Sequence, residues 1–274
     1  MISQEYVKAR SVLLDALDGL GPHRDALVLV GAQAVYLHTG DADLATAPTT
    51  TDADIALVPG RLADEPSLVD AMCAAGFAPG KQPGSWVGPG DITVDLMAPA
   101  ALCGQGGRRS AHLQPPHEAK ATARRTLGLE PAVVDNAVHV ISALDPGDPR
   151  SFEIKVAGPA ALVVSKVVKI AERREQQSHR LKPKDGLDVL RLLRAVDTES
   201  LAGSLVGVAS DELSSVVVAG AIKDLRELAA GPDDLLPRLA ADAEQGFSDP
   251  DEIKMSMVVL VGDLLQEFER LTSG

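Results

Sequence analysis

Apolar residues recur at helical spacing in "SQEYVKARSVLLDALDGL". Tyr6, Val7, Val12, Leu13, Leu14, Leu17 and Leu20 predict an amphipathic helix, which Gly19 and Gly21 bring to an end. The pattern then changes. Ala26 to Val30 is a short apolar run, read as a buried strand, and Gly31 breaks it. Helical spacing resumes from Ala32 to His38 and ends near Gly40. The polar stretch "DADLATAPTTT" is a loop, and "DADIALVP" from Asp52 is a second strand. Next, "DEPSLVDAMCAAGF" predicts a helix with proline near its start, and "APGKQPGSWVGPGD" a turn or hairpin. "DITVDLMAP" is a third strand, whose alternation puts Asp91, Thr93 and Asp95 on one face. Residues 104–117, with Arg108 and Arg109, form a flexible loop, and "EAKATARRTLG" reads as a basic helix. "AVVDNAVHVISAL" and "SFEIKVAG" are strand-like pieces on either side of the turn "DPGDPR".

From about residue 158 the period is helical to the end. "PAALVVSKVVKIAERREQQSHR" is one helix, "KDGLDVLRLLRAV" opens a second, and helical segments follow around 211–230, 233–245 and 250–272. The chain therefore divides into an α/β half, 1–157, and an all-helical half, 158–274, an α+β arrangement. The length of 274 residues suits one large or two ordinary domains.

One segment contradicts its surroundings. Asp52 and Asp54 lie on the same face of a strand whose neighbours Ile55, Ala56, Leu57 and Val58 belong to a core. Two carboxylates about 7 Å apart repel, and desolvating them is costly unless a cation or donors compensate. A third carboxylate, Asp95, sits on the later strand, and a glycine turn at Gly31 follows the first. Three aspartates on adjacent strands suit divalent cations bridging nucleotide phosphates and an attacking hydroxyl. The glycine turn leaves backbone N–H groups at a helix N-terminus for a phosphate.

Composition narrows the field. Hydrophobic residues make up 45% of the chain, enough for a substantial core, but aromatic residues only 3%, so Ala, Val and Leu carry the packing. Cys73 and Cys103 form neither a disulfide framework nor a paired zinc motif. The amino-terminal decapeptide carries charges where a signal peptide would be apolar, and "ALVLVGAQAVYLHTG" is too short and polar to span a bilayer. A cytoplasmic protein with no membrane partner is expected. The net charge of −13 opposes general nucleic-acid coating. Residues 166–194, however, hold nine Lys or Arg against four Asp or Glu, net +5, with Lys166, Lys169 and Arg173 on one helical face. Such a basic stripe suits a triphosphate and a polyanionic acceptor. The six histidines show no H-x-H or H-E-x-x-H spacing, and there is no C-x-x-C, G-x-S-x-G, P-loop or dinucleotide fingerprint.

"LVGAQAVYLHTG" followed by "TTTDADIAL" resembles the nucleotidyltransferase (DNA polymerase β-like) superfamily, and within it the AbiEii/MenT-type nucleotidyltransferase toxins. "AVYLHTG", Thr50 and Thr51, "SKVVKIAERR" and "KPKDGLDVLRLL" match that subfamily's ordered elements, over roughly residues 26–194. Gly31-Ala32 stands where the pattern has Gly-Gly or Gly-Ser. The resemblance implies a nucleotidyltransferase-type mixed sheet with flanking helices, and a helical domain that completes the cleft. It also implies metal ligands at Asp52 and Asp54, and Asp95 as a third ligand or as base for the acceptor hydroxyl. Gly31, Ala32 and Thr51 would lie beside the phosphates, with Lys166 and Lys169 as cations. Asp185 would sit near the cleft, orienting Lys166 or the nucleotide. The implied activity is Mg2+- (or Mn2+-) dependent transfer of NMP from NTP to an acceptor, an RNA such as a tRNA 3′ end, by a toxin paired with a small antitoxin.

Plainer readings stand beside these. The aspartates could be a solvated strand end, Gly31 a tight turn, Lys166 a helix residue reaching past the core, and Asp185 a helix N-cap. A catalytically weak binding or regulatory protein of this fold, or a nucleotidyltransferase acting on a small antibiotic, fits the same motifs.

Overall fold

The computed structural model describes residues 3–40, 44, 47, 49–104, 109–176 and 178–273. In chain order the elements are α1 (Gln4–Gly19), β1 (Leu27–Val30), α2 (Gly31–Thr39), β2 (Asp52–Leu57), α3 (Leu68–Ala74), β3 (Ala78–Pro79), β4 (Ser85–Val87), β5 (Thr93–Pro99), β6 (Arg124–Thr126), α4 (Glu130–Val134), β7 (Asn136–Ser142), β8 (Ser151–Ala157), α5 (Pro159–Gln176), α6 (Pro183–Ala195), α7 (Thr198–Ser210), α8 (Ser215–Leu228), α9 (Leu235–Ala243) and α10 (Pro250–Thr272). They form a mixed sheet with flanking helices, followed by a helical carboxy-terminal region, as the sequence pattern leads one to expect.

The chain divides into two compact units: residues 1–34 with 48–157, and residues 35–47 with 158–274. In the first unit the strand order is β3-β4-β5-β2-β1-β8-β7, with β6 added against β5. Strand β2 runs antiparallel to β1 and parallel to β5, and β1 runs parallel to β8. Leu13, Leu14 and Leu17 of α1 pack into the core with Leu27, Leu29, Ile55, Leu57 and Trp86, all essentially inaccessible. The LVLV run of β1 is buried at every position, which explains its lack of alternation.

Several local expectations change. The segment 118–128 is no basic helix. It runs through turns into β6, because Gly84 N–H bonds Ala121 O and Trp86 Nε1–H bonds Thr122 O, drawing the chain onto the sheet. Asp91 lies outside β5, at the end of a 3-10 turn with φ +58°, so only Thr93 and Asp95 share the strand face. The hairpin at 78–91 is present in part, as the paired β3 and β4. The helix α7 lies within the stretch expected to be helical, between the segments singled out there: its spacing is loose, with Gly203 and Gly207 on it, and Asp197 caps it by accepting from Ser200 N–H. Gln105–Arg108 of the expected flexible loop lie outside the described residues.

In the second unit α5 through α10 pack on one another. The apolar faces of α5 and α6 bury Val163, Val167, Leu190 and Leu193. No described helix is long and apolar enough to cross a membrane.

Candidate functional site

The register of the sheet decides which carboxylates meet. β2 pairs β5 so that Asp54 stands directly opposite Asp95, at the ordinary strand spacing of about 4.8 Å. Alternation places Asp52 on the same face of β2, half-buried like Asp54, while Ala53 and Ile55 face the core. Like charges directly opposite one another destabilise a sheet. Nearby groups answer that repulsion.

The first is Arg124. It lies on β6, in register with Met97 of β5, so its side chain lies along the face that carries Asp95, two residues from Met97. Its Nη2 donates to Asp95 Oδ2 at 2.9 Å and approaches Met97 Sδ at 3.2 Å. The second is Thr50, whose hydroxyl donates to Asp52 Oδ1 at 2.7 Å. Thr50 is buried, whereas Thr51, the residue the resemblance points to, is exposed.

A buried polar chain fixes the start of β2. Arg10 Nε donates to Gln33 Oε1 at 2.8 Å, and Gln33 Nε2 donates to the Asp52 carbonyl at 3.2 Å. Arg10 also donates to Tyr6 Oη and to the Ser142 carbonyl, both at 2.9 Å. Burial pushes the Tyr6 phenol up, against the opposing pull of Arg10.

Gly31 closes the geometry. Its φ is +70°, and a Cβ there would lie 2.1 Å from Asp54 Oδ2. The turn from β1 into α2 thus sets bare backbone against a carboxylate, and any side chain would be both strained and in collision. Ala32 follows as a buried helical residue.

Asp52 and Asp54 present hard oxygen donors beside this glycine cradle, which suits magnesium or manganese. Among the described residues, no group of three or more His, Cys, Asp or Glu is placed to hold a metal ion together. Asp95 is instead held by Arg124.

The remaining candidates lie in the helical unit, where they form a network. Lys166 is buried, and its Nζ donates to Asp185 Oδ1 at 3.1 Å and Asp188 Oδ2 at 2.6 Å. Lys169 and Arg173 donate to the same Asp185, at 2.9 and 2.8 Å. Burial alone would raise the Asp185 carboxyl, but Lys166, Lys169 and Arg173 hold it well below the ordinary carboxylate range. Burial opposes the charge on Lys166, and Asp188 and Asp185 outweigh it, so its ammonium is held more firmly than usual. Asp185 lies in the first turn of α6 but is not its N-cap; that position is Lys182. The basic stripe is therefore largely neutralised within its own unit. Arg174, too, lies 3.6–4.0 Å from Glu175, Asp224 and Glu227, and Arg191 is buried over the Tyr36 ring.

No family model and no curated protein sequence matches the chain. A solved structure is similar to it: an antigenic nucleotidyltransferase-like protein from Paracoccidioides brasiliensis, with a TM-score of 0.38 and 14% identity, covering 80% of this chain and 94% of that one. A likeness at that level shows neither family nor activity.

Sequence reasoning did not find Arg124, Arg10 or Gln33. Arg10 had left a signal, since it falls on the apolar stripe of α1 at helical spacing from Tyr6 and Leu14. Arg124 had none. Its position depends on which strand β6 joins.

Proposed function

We propose that the chain is a nucleotidyltransferase that moves an NMP from an NTP to an acceptor hydroxyl, with an RNA such as a tRNA 3′ end as acceptor. One observation carries the reading: the strand–glycine–helix turn at Gly31 presses on Asp54, which stands in register with Asp95 and two residues from Asp52 on one sheet face. In the reaction the acceptor oxygen bonds to the α-phosphorus as the bond to the β-phosphate bridge breaks. Pyrophosphate leaves, and the hydroxyl proton passes to solvent. A magnesium or manganese ion on Asp52 and Asp54 would offset the charge that develops on the transferred phosphoryl group. The chain's own residues hold that pair in place: Thr50 fixes the Asp52 carboxylate, Gln33 its carbonyl, and Gly31 leaves the space beside Asp54.

In the helical unit, Lys166 is committed to Asp185 and Asp188 as a positioning cation. Lys169 keeps 40% of its side chain exposed, and Arg180 and Lys182 are exposed, so a polyanion meets these first. The AbiEii/MenT resemblance adds a toxin role with a small antitoxin; arrested growth on expression, relieved by a co-encoded neighbour, would support it. The enzymatic reading is tested by label transfer from each α-labelled NTP to total tRNA with Mg2+, comparing wild type and Asp54→Asn. Labelling by the wild type alone is expected. Equal label in both, or none in either with tRNA and small-molecule acceptors alike, would refute it.

A further inference from the structure

We infer that two copies of this chain pair through β7, antiparallel about a two-fold axis at His139, so that their sheets join across that edge. Such a joint is independent of the nucleotidyltransferase reading.

The two ends of the sheet differ. At one end β3 is two residues long and contains Pro79. A short strand with a proline is a guarded edge. At the other end β7 runs from Asn136 to Ser142, and among the described residues no strand covers its outer side. It carries none of the usual protections. Its sequence NAVHVIS holds no charged residue and no proline, and its unbroken register with β8 leaves no bulge. Val138 and Val140 stand on one face of the strand at 63% and 61% exposure.

Hydrogen-bond alternation decides what this edge offers. Just past β7, Ala143 N–H donates to Arg150 O. Bonded and non-bonded pairs alternate along an antiparallel ladder, so Ala137, His139 and Ile141 bond β8. The N–H and C=O groups of Val138 and Val140 therefore point outward. The Ser142 carbonyl follows the same alternation, and Arg10 donates to it.

The strand is complementary to itself. About His139 it reads much the same in both directions: a valine on each side, then Ala137 and Ile141, then Asn136 and Ser142. Turned over on that residue, Val138 of each copy lies opposite Val140 of the other, and each such pair exchanges both of its outward hydrogen bonds. Moving the axis to Ala137 or Ile141 would set a valine against Asn136 or Ser142 instead. Charges match as well. On β8, Lys155 stands opposite Val138 and Glu153 opposite Val140. The axis therefore ends each row across the joint with Lys155 of one copy and Glu153 of the other, about 14 Å apart, and no like charges face each other. The guarded edge at β3 closes the assembly at two copies. A single strand joint falls below the about 1,200 Å2 of stable complexes, and the net charge of −13 opposes it. The dimer is accordingly reversible, with a Kd of about 10–100 µM, and tightens with added salt.

The test is sedimentation of the full chain from about 1 to about 300 µM, at low and high salt. A rise from monomer to dimer is expected in the wild type. Val140→Pro should fold, because the N–H it removes points away from β8, and should weaken the dimer about tenfold or more. Val138→Lys, an exposed change, should do the same, and decides if Val140→Pro does not fold. In a Cys73→Ser, Cys103→Ser background, His139→Cys should crosslink two copies on mild oxidation by diamide. Residues on the axis form a non-bonded pair with Cα atoms about 4.5 Å apart, within disulfide reach. A monomer throughout the range would overturn the proposal. So would a dimer unchanged in folded variants, or one that forms without the crosslink, since another face or register would then join the copies.

Discussion

Replacing Lys166 by methionine separates two roles for this residue, a structural cation and a ligand of substrate phosphates. Its side chain is 6% exposed, and its ammonium lies between Asp185 at 3.1 Å and Asp188 at 2.6 Å. Without it, Asp185 keeps Lys169 and Arg173, but Asp188 does not fare so well. That residue is fully buried, and its Oδ1 already lacks a hydrogen-bond partner. Removing one partner of a buried pair costs about 3–5 kcal/mol, because the other charge is left uncompensated. At about 2–4 °C per kcal/mol for a chain of this size, Tm should fall by about 6–20 °C.

The pH dependence gives a second signature. A buried carboxylate without its cation is relieved by taking up a proton, so the deficit of Lys166→Met should shrink as pH falls toward 4. The wild type behaves oppositely. Asp185 is held below its ordinary value of 3.8, so its contribution is present above that pH and is lost as pH falls through the lower folded value. Adding Asp188→Leu to Lys166→Met should recover most of the lost stability. Thermal unfolding by circular dichroism between pH 4 and 8 measures all three. A Lys166→Met protein that melts within about 2 °C of wild type at every pH would refute the network. If it also had a raised KM for NTP, Lys166 would be a phosphate ligand instead.

Two further outcomes follow from the first unit. Gly31→Ala should lose label transfer and about 2 kcal/mol or more of stability, since a non-glycine residue at φ +70° is strained and its Cβ would collide with Asp54; an active, equally stable variant would mean the turn is not built this way. His23 is fully buried, edge-on to His117 at 5.3 Å, and burial, then His117, pushes its imidazole below the ordinary 6.5. A lowered value means stability is fully present above about pH 6.5 and declines as pH falls through the folded value. His23→Phe should flatten that decline in a pH series of urea midpoints, and an unchanged slope would refute it.

Element identity was largely readable from the chain because short-range period decides it. The LVLV run of β1, the Asp-x-Asp strand and the long helix α5 are written in consecutive residues. The segment 118–128 misled because its helical composition competes with hydrogen bonds from Gly84 and Trp86, residues more than thirty positions away. Tertiary pairing outweighed local propensity there.

The candidate site divides along the same line. Two carboxylates on one strand face, preceded in the chain by a glycine turn, follow from alternation and spacing alone, and the sequence by itself determined that they form an unusual charged patch in a core strand. Only the tertiary structure decided what compensates them. Asp95 meets Asp54 because β2 and β5 are parallel in one particular register, and Arg124 reaches Asp95 because β6 joins the same edge. Likewise, counting charges gave α5 a basic stripe, while the packing of α6 against it spent that charge on Asp185 and Asp188. Charge is a property of residues, but the field at a site depends on which residues the fold brings within a few ångströms.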